Sequence, residues 1–249
     1  DSPARIWDLE RGTITRLDGH GEPVVQTRFS PDGQRLLTLS WDETLRLWDL
    51  QGRPLAILDG HQERPFVATF SPDGTMIVAS FRLEPTVRFW TGAGEAPGRL
   101  PPDAHGDEVR SLEFSRDGQY LLTASQDGTA RLWRRIDDNF VPVRAYRGHT
   151  GPLNAAHFTP DQRHLVTASE DATARRWTLE GEPMAIFRGH TGAVTSAIPL
   201  DDGQRVLTTS ADRSVRLWWN TGAPIDVPET AIAHLTPIRS APAPVARDD

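Results

Sequence analysis

Cysteine is absent from the 249 residues, so neither a disulfide framework nor a thiolate metal site can be built. Lysine is absent as well: all 27 basic residues are arginine, they face 34 acids, and the formal net charge is -7. A chain that gripped nucleic acid through its phosphates would need a basic face, and this balance argues against one. No apolar run approaches the roughly 18 residues of a membrane span. The start, Asp1-Ser2-Pro3-Ala4-Arg5, lacks the charged-then-apolar pattern of a secretory signal. The expectation is a soluble, cytoplasmic chain with no membrane or nucleic-acid partner. Arginine-only basic usage with 20 Gly and 20 Pro points to a GC-rich, bacterial coding background, and the missing initiator Met points to a piece of something longer.

What is present is a repeat. Trp7, Trp48, Trp90, Trp133, Trp177 and Trp218 are separated by 41, 42, 43, 44 and 41 residues, and His20, His61, His105, His149 and His190 by 41, 44, 44 and 41. Two independent series with one period of this length mark a repeat architecture. Nine residues after each His stands Phe29, Phe70, Phe114 or Phe158, with Pro199 in the fifth unit. A turn follows, such as Ser30-Pro31-Asp32-Gly33 or Ser71-Pro72-Asp73-Gly74, in which Pro presets φ, Asp bonds locally and Gly accepts positive φ. Short strands come next, such as Leu36–Ser40, Thr44–Trp48 and Leu55–Leu58. Four short strands per period make one sheet of a radial array.

The pairs Gly19-His20, Gly60-His61, Gly148-His149 and Gly189-His190, with Ala104-His105 in the third unit, and the pairs Trp7-Asp8 and Trp48-Asp49 resemble the WD-repeat (WD40) family. Later units keep the Trp and follow it with Thr91, Arg134, Thr178 and Trp219. The resemblance implies an all-β WD40 β-propeller over residues 1–238: a blade remnant at 1–18, then five four-stranded blades at about 19–58, 61–100, 105–146, 149–187 and 190–227. A candidate closing strand lies at 229–237, and a Pro/Ala-rich tail occupies 239–249. The strand count fits either a six-bladed ring or an arc of a larger propeller, and the arc is the favoured expectation.

His, Thr or Ser, and Asp recur together, which could be taken for a hydrolase triad. An enzyme needs one activated nucleophile, whereas here the set repeats four times: His20, Thr38 or Ser40, Asp42, Trp48; His105, Thr123 or Ser125, Asp127, Trp133; His149, Thr167 or Ser169, Asp171, Trp177; His190, Thr208 or Ser210, Asp212, Trp218. The resemblance implies a buried structural relay from Asp through His and a hydroxyl to the indole, as polar groups buried between blades require partners. The second unit departs: Phe81-Arg82-Leu83-Glu84-Pro85 between Ser80 and Thr86 reads as two residues longer than Trp41-Asp42-Glu43 and has no relay Asp. Arg5, Arg46, Arg88, Arg131, Arg175 and Arg216, each two residues before a Trp, read as architecture whose stems cover apolar surface.

No catalytic residue, metal or cofactor is expected. The expected function is a protein-interaction scaffold whose partner docks on the loop rim beside the His series, with Trp41, Gln62, Glu63, Arg64, Phe81, Arg82, Gln126 and Glu170 as candidate contacts. Two alternatives stand beside it. One is the sensor or regulatory propeller of a larger bacterial signalling protein fused to a nucleotidase, kinase or protease. The more remote is a propeller enzyme with a metal in the central channel, which would need converging acids where the sequence offers Arg28, Thr69, Glu113, His157 and Ile198.

Overall fold

The structure is a computed structural model and describes residues 4–58, 63–95, 98–101, 103–200 and 203–225. These residues contain strands and turns and no helix. A two-stranded remnant, β1 (Ala4–Asp8) and β2 (Thr13–Leu17), precedes the first blade, β3 (Val24–Phe29), β4 (Arg35–Ser40), β5 (Leu45–Asp49) and β6 (Pro54–Leu58). The second blade is β7 (Pro65–Phe70), β8 (Met76–Phe81), β9 (Val87–Thr91) and the short β10 (Gly98–Arg99). The third is β11 (Val109–Phe114), β12 (Tyr120–Ser125), β13 (Ala130–Ile136) and β14 (Asn139–Tyr146), and the fourth β15 (Leu153–Phe158), β16 (His164–Ser169), β17 (Thr173–Thr178) and β18 (Pro183–Arg188). The fifth has three described strands, β19 (Val194–Pro199), β20 (Arg205–Ser210) and β21 (Val215–Trp219). All neighbours within a blade are antiparallel.

The first strands of successive blades touch one another, which places them at the hub and the last strands outside. Core clusters form between blades rather than within them. Trp90 packs on Leu37, Leu39, Leu45 and Leu47 of the first blade, Trp133 on Val78 and Phe89 of the second, and Trp177 on Leu122 and Leu132 of the third. Trp218 packs on Val166 and Phe187 of the fourth. Middle strands are therefore apolar on both faces, as β8 shows, with all six residues buried. Turn chemistry supports each hub hairpin. The Asp32, Asp73, Asp117 and Asp161 carboxylates accept backbone N–H groups two residues on. Gln162 takes the positive φ of 57° that glycine takes in the sister turns.

Each hub pair also carries a register shift at one site, between Val24 and Gln26, Pro65 and Val67, Val109 and Ser111, Leu153 and Ala155, and Val194 and Ser196. This bulge gives every first strand one extra residue near the rim: Val25, Phe66, Arg110, Asn154 and Thr195.

The two ends of the array differ from its interior. Phe70, Phe114 and Phe158 are buried against the preceding blade, whereas Phe29 is 56% exposed over a cleft of about 400 Å³ shared with Ile6, Trp7 and Thr15. Trp7 is 63% exposed, while the other five Trp of its series are buried. At the far end Val215 is 63% exposed where Leu45, Val87 and Ala130 are fully covered. Of the fourth strand expected in the fifth blade, the described residues carry a single bridge, Trp218 to Pro224. The rest of that expected strand, the candidate closing strand at 229–237 and the tail lie outside the described residues.

Candidate functional site: the blade relay and the loop rim

Four blades share one hydrogen-bonded relay. In the first, His20 Nδ1 lies 2.8 Å from Asp42 Oδ2 and His20 Nε2 lies 2.7 Å from Thr38 Oγ1, which accepts the Trp48 indole N–H at 2.8 Å. The third blade repeats this with His105, Asp127, Thr123 and Trp133 at 3.0, 2.7 and 3.0 Å. The fourth uses His149, Asp171, Thr167 and Trp177 at 2.8, 2.8 and 3.0 Å, and the fifth His190, Asp212, Thr208 and Trp218 at 2.9, 2.7 and 2.7 Å. The carboxylate can only accept, so Nδ1 carries the imidazole proton, and Nε2 accepts from the threonine hydroxyl. Of the two hydroxyls the sequence leaves open, threonine is the relay. Serine instead ties the loop: Ser40 Oγ donates to Glu22 O at 2.9 Å and accepts the Asp42 N–H at 3.1 Å, with Ser125, Ser169 and Ser210 doing the same.

Charge follows from these bonds. Burial opposes ionisation of Asp42, Asp127 and Asp171. Donors from the neighbouring Thr, the His and backbone N–H groups outweigh it, so all three are held well below the usual carboxylate range, Asp171 at about 2. Asp212 is lowered chiefly by the Ser214 hydroxyl. Burial pushes His20, His105 and His149 down more strongly than their Asp partners raise them. Neutral imidazole beside ionised carboxylate is a bonding state, and each hydroxyl already serves an indole, so none is free to attack a substrate.

The repeated geometry also gives the small residue of the Gly-His pair a reason. A Cβ on Gly189, at φ +152°, would stand 2.9 Å from Arg216 Nη1 and 3.2 Å from the Trp218 ring. Gly19 and Gly148 sit likewise over Arg46 and Arg175. In the third unit Ala104 fills this place, and Arg131 reaches instead to Asp103 O at 3.1 Å.

The second blade is built differently, and its register corrects the sequence alignment. Phe81, not Ser80, pairs with Pro65 as Ser40 pairs with Val24, so Ala79 stands where Thr38 does and the following turn is one residue longer rather than two. Among the described residues the Trp90 indole N–H has no hydrogen-bond partner. Phe81 is fully buried, edge-on to Trp90 at 6.4 Å, with the Arg88 guanidinium 5.9 Å over its ring. It is therefore a core residue and not the rim contact expected of it, because a strand end that lacks the serine bond packs an aromatic on the indole instead.

The rim is where the turns after β4, β8, β12, β16 and β20 meet the loops before the hub strands. The N–H groups of Trp41, Arg82, Gln126, Glu170 and Ala211 donate to Pro23, Arg64, Glu108, Pro152 and Ala193 carbonyls at 2.8–3.0 Å. Trp41 is 53% exposed. Arg64 lies 3.7 Å from Glu43, both open to solvent, and Arg82 sits 4.9 Å over the Phe66 ring. Glu63 is half-buried at the loop entry, whereas Gln62 and His61 lie outside the described residues. Gln126 and Glu170 are committed to the fold: Gln126 Nε2 donates to Glu108 Oε1 at 3.1 Å, and Glu170 accepts Arg110 Nη1 at 2.6 Å. Arg110 and Asn154, both bulge residues, continue this chain of bonds. Arg110 Nη1 donates to Asn154 Oδ1 at 2.6 Å and Asn154 Nδ2 to Val194 O at 2.9 Å, joining three blades. Neither residue was singled out in the sequence, although each stands five residues after a marker His.

Comparison with known proteins places this repeat. The profile of the family described as WD domain, G-beta repeat, matches residues 11–49, 52–91, 100–134, 140–178 and 181–218. The chain belongs to the WD-repeat family. Among curated relatives, the WD repeat-containing protein WDS homolog of Arabidopsis thaliana is 42% identical over 52 residues, 20% of this chain and 10% of that protein. A probable cytosolic iron-sulfur protein assembly protein CIAO1 homolog of Caenorhabditis elegans is 31% identical over 87 residues, 32% and 26%. Telomerase protein component 1 of Mus musculus is 27% identical over 130 residues, 52% and 5%. These matches span 5–26% of the relatives' own length, so they reach the repeat and not the whole proteins.

The opposite rim of the WD-repeat array holds a shallow hollow of about 430 Å³ between Pro72, Phe114, Arg116, Phe158 and Pro199. On its inner wall His157 Nδ1 is 2.6 Å from Glu113 Oε2, which joins the third and fourth blades. Among the described residues no group of three or more His, Asp or Glu could hold a metal ion.

Proposed function

We propose that this WD-repeat chain is a non-catalytic platform that binds a protein partner on the rim formed by the β4–β5-type turns and the loops before the hub strands. The observation that carries this reading is the fourfold use of His, Thr and Asp to hold Trp indoles. Every recurring reactive constellation is spent on packing, while Trp41, Arg64 and Arg82 stay at the surface. WD-repeat proteins generally act as interaction scaffolds, and the cytoplasm is the site of action this proposal assigns.

A second reading has its own support: this array serves as the sensing or regulatory part of a larger signalling protein. The relatives in which its repeats recur are far longer than the matched segments, which occupy 5% of the mouse telomerase component and 8% of human striatin-4. The test is a photo-crosslinking amino acid placed at position 41 on the proposed rim or at position 116 on the opposite one. A protein captured at 41 and not at 116 supports rim docking. Capture only at 116, or a substrate turned over by the purified chain, defeats it.

A further inference from the structure

The β8–β9 turn of the second blade differs from its counterparts in what it presents to solvent. Its left-handed position, held by Glu43, Gly128, Ala172 and Arg213 in the other four blades, holds Leu83, while Glu84 stands beside Arg88 as Asp42 stands beside Arg46. Leu83 is 81% exposed, in the left-handed region at φ 61°. Leucine is poorly suited to that region, and the turn needs support to stay there. Support comes from the third blade: Glu108, buried, accepts the Leu83 N–H on Oε2 at 3.1 Å while its Oε1 is held by Gln126. A buried carboxylate thus fixes an apolar side chain in water, which stabilises nothing within the blade.

The surroundings of Leu83 have the chemistry of a small binding patch. Arg82 rests on the Phe66 ring, and among the described residues its guanidinium makes no ion pair, so its N–H groups remain open. Phe66 is the bulge residue of β7, turned to this rim by the extra residue. Next to it, the Arg64 carbonyl receives the Arg82 N–H, and the Arg64 side chain reaches Glu43 of the neighbouring turn that carries Trp41. Trp41 and Leu83 therefore stand on adjoining turns, with one engaged and one unengaged cation between them. A stacked arginine with free donors suits a planar carboxylate, and exposed aromatic and aliphatic groups flanking it suit an apolar anchor.

We propose that the first- and second-blade rim binds a short polypeptide segment that carries a leucine or aromatic anchor for Trp41 and Leu83 and a neighbouring Asp or Glu for Arg82. This deepens the rim-docking reading and rests on it, but it fixes the blades and the partner's chemistry. The probe is an array of fluorescein-labelled twelve-residue peptides with a central Leu or Phe and one Glu at varied spacing. Matched arrays carry Lys or phosphoserine for Glu, or Ser for the anchor. The read-out is fluorescence polarisation.

The expected result is binding by Glu-bearing peptides that falls at least tenfold with Lys for Glu, with Ser for the anchor, and in Arg82→Ala or Leu83→Asp protein. Both residues are exposed, and circular dichroism and the thermal midpoint verify that the variants fold. Arg116→Ala on the opposite rim should change nothing. Preference for phosphoserine over Glu, indifference to charge, or unaltered binding in both rim variants overturns the proposal. Loss of binding in Arg116→Ala alone overturns it and the rim-docking reading together. Capture of a folded partner at position 41 with no peptide bound at all overturns the peptide proposal while rim docking stands.

Discussion

Replacing Thr167 by valine keeps side-chain volume and β-propensity but deletes the one atom at which the fourth relay converges. The hydroxyl serves His149 Nε2 at 2.8 Å and the Trp177 indole N–H at 3.0 Å, and Thr167 is fully buried. The variant leaves one acceptor and one donor without partners in a site closed to water. At about 1–3 kcal/mol for each orphaned group, the expected loss is about 2–6 kcal/mol. In a domain of this size such a loss lowers the thermal midpoint by roughly 4–24 °C. Blade arrays can open piecemeal, so urea unfolding should be followed both by Trp fluorescence and by hydrogen exchange of the indole N–H groups. Exchange at Trp177 should accelerate far more than at Trp133 or Trp218, whose own relays are intact. In a Trp177→Phe background one of the two orphans no longer exists, and the added cost of Thr167→Val should shrink by the share of that bond. A loss under about 0.5 kcal/mol, or an unaltered cost in the Phe background, would refute the reasoning.

Three further outcomes are expected. Unfolded imidazoles take up protons near their ordinary value of 6.5 before the depressed His20, His105 and His149 do, so stability is full above pH 6.5 and falls as pH drops through their folded values. A second fall below pH 3.8 follows as the depressed Asp42, Asp127 and Asp171 are forced to protonate; a urea midpoint constant from pH 7 to 5 would contradict the first step. Phe81→Ala should cost about 3–5 kcal/mol, whereas Arg82→Ala beside it should change stability by less than about 0.5, which urea titration resolves. Gly189→Ala should cost about 1–3 kcal/mol through its +152° φ and the clash with Arg216, and Arg216→Ala should relieve part of that loss in the double variant's melting curve.

The radial array was legible because two residue series kept one period and because Pro-Asp-Gly turns announce hairpins through local chemistry. The relay's members were legible as a set, yet Thr167 and Ser169 could not be ranked. Both face the rim side of one strand, and only the path of the neighbouring backbone assigns one to the indole and the other to a carbonyl. The register of β8 was opaque for a different reason: Met76 through Phe81 are buried on both faces, so no alternation marks which residue points where. The sequence therefore suggests a surface position for Phe81, which lies buried under Arg88. Arg110 and Glu170 lie 60 residues apart, and their bond depends on a bulge that leaves no compositional trace.

Those bulges carry a consequence for how the chain can be rearranged. Every blade exposes the same kind of apolar wall to its neighbour, so hydrophobic packing alone would let blades trade places. The side chain delivered by each bulge is different, and in the third and fourth blades it bonds across the seam: Arg110 finds Asn154 and Glu170, and Asn154 finds the Val194 carbonyl. The seam between the third and fourth blades therefore carries an address. A chain with its third and fourth repeats exchanged would keep its walls and turns but part the Arg110 guanidinium from Asn154 and Glu170, so the order of these two repeats is written in a side-chain contact.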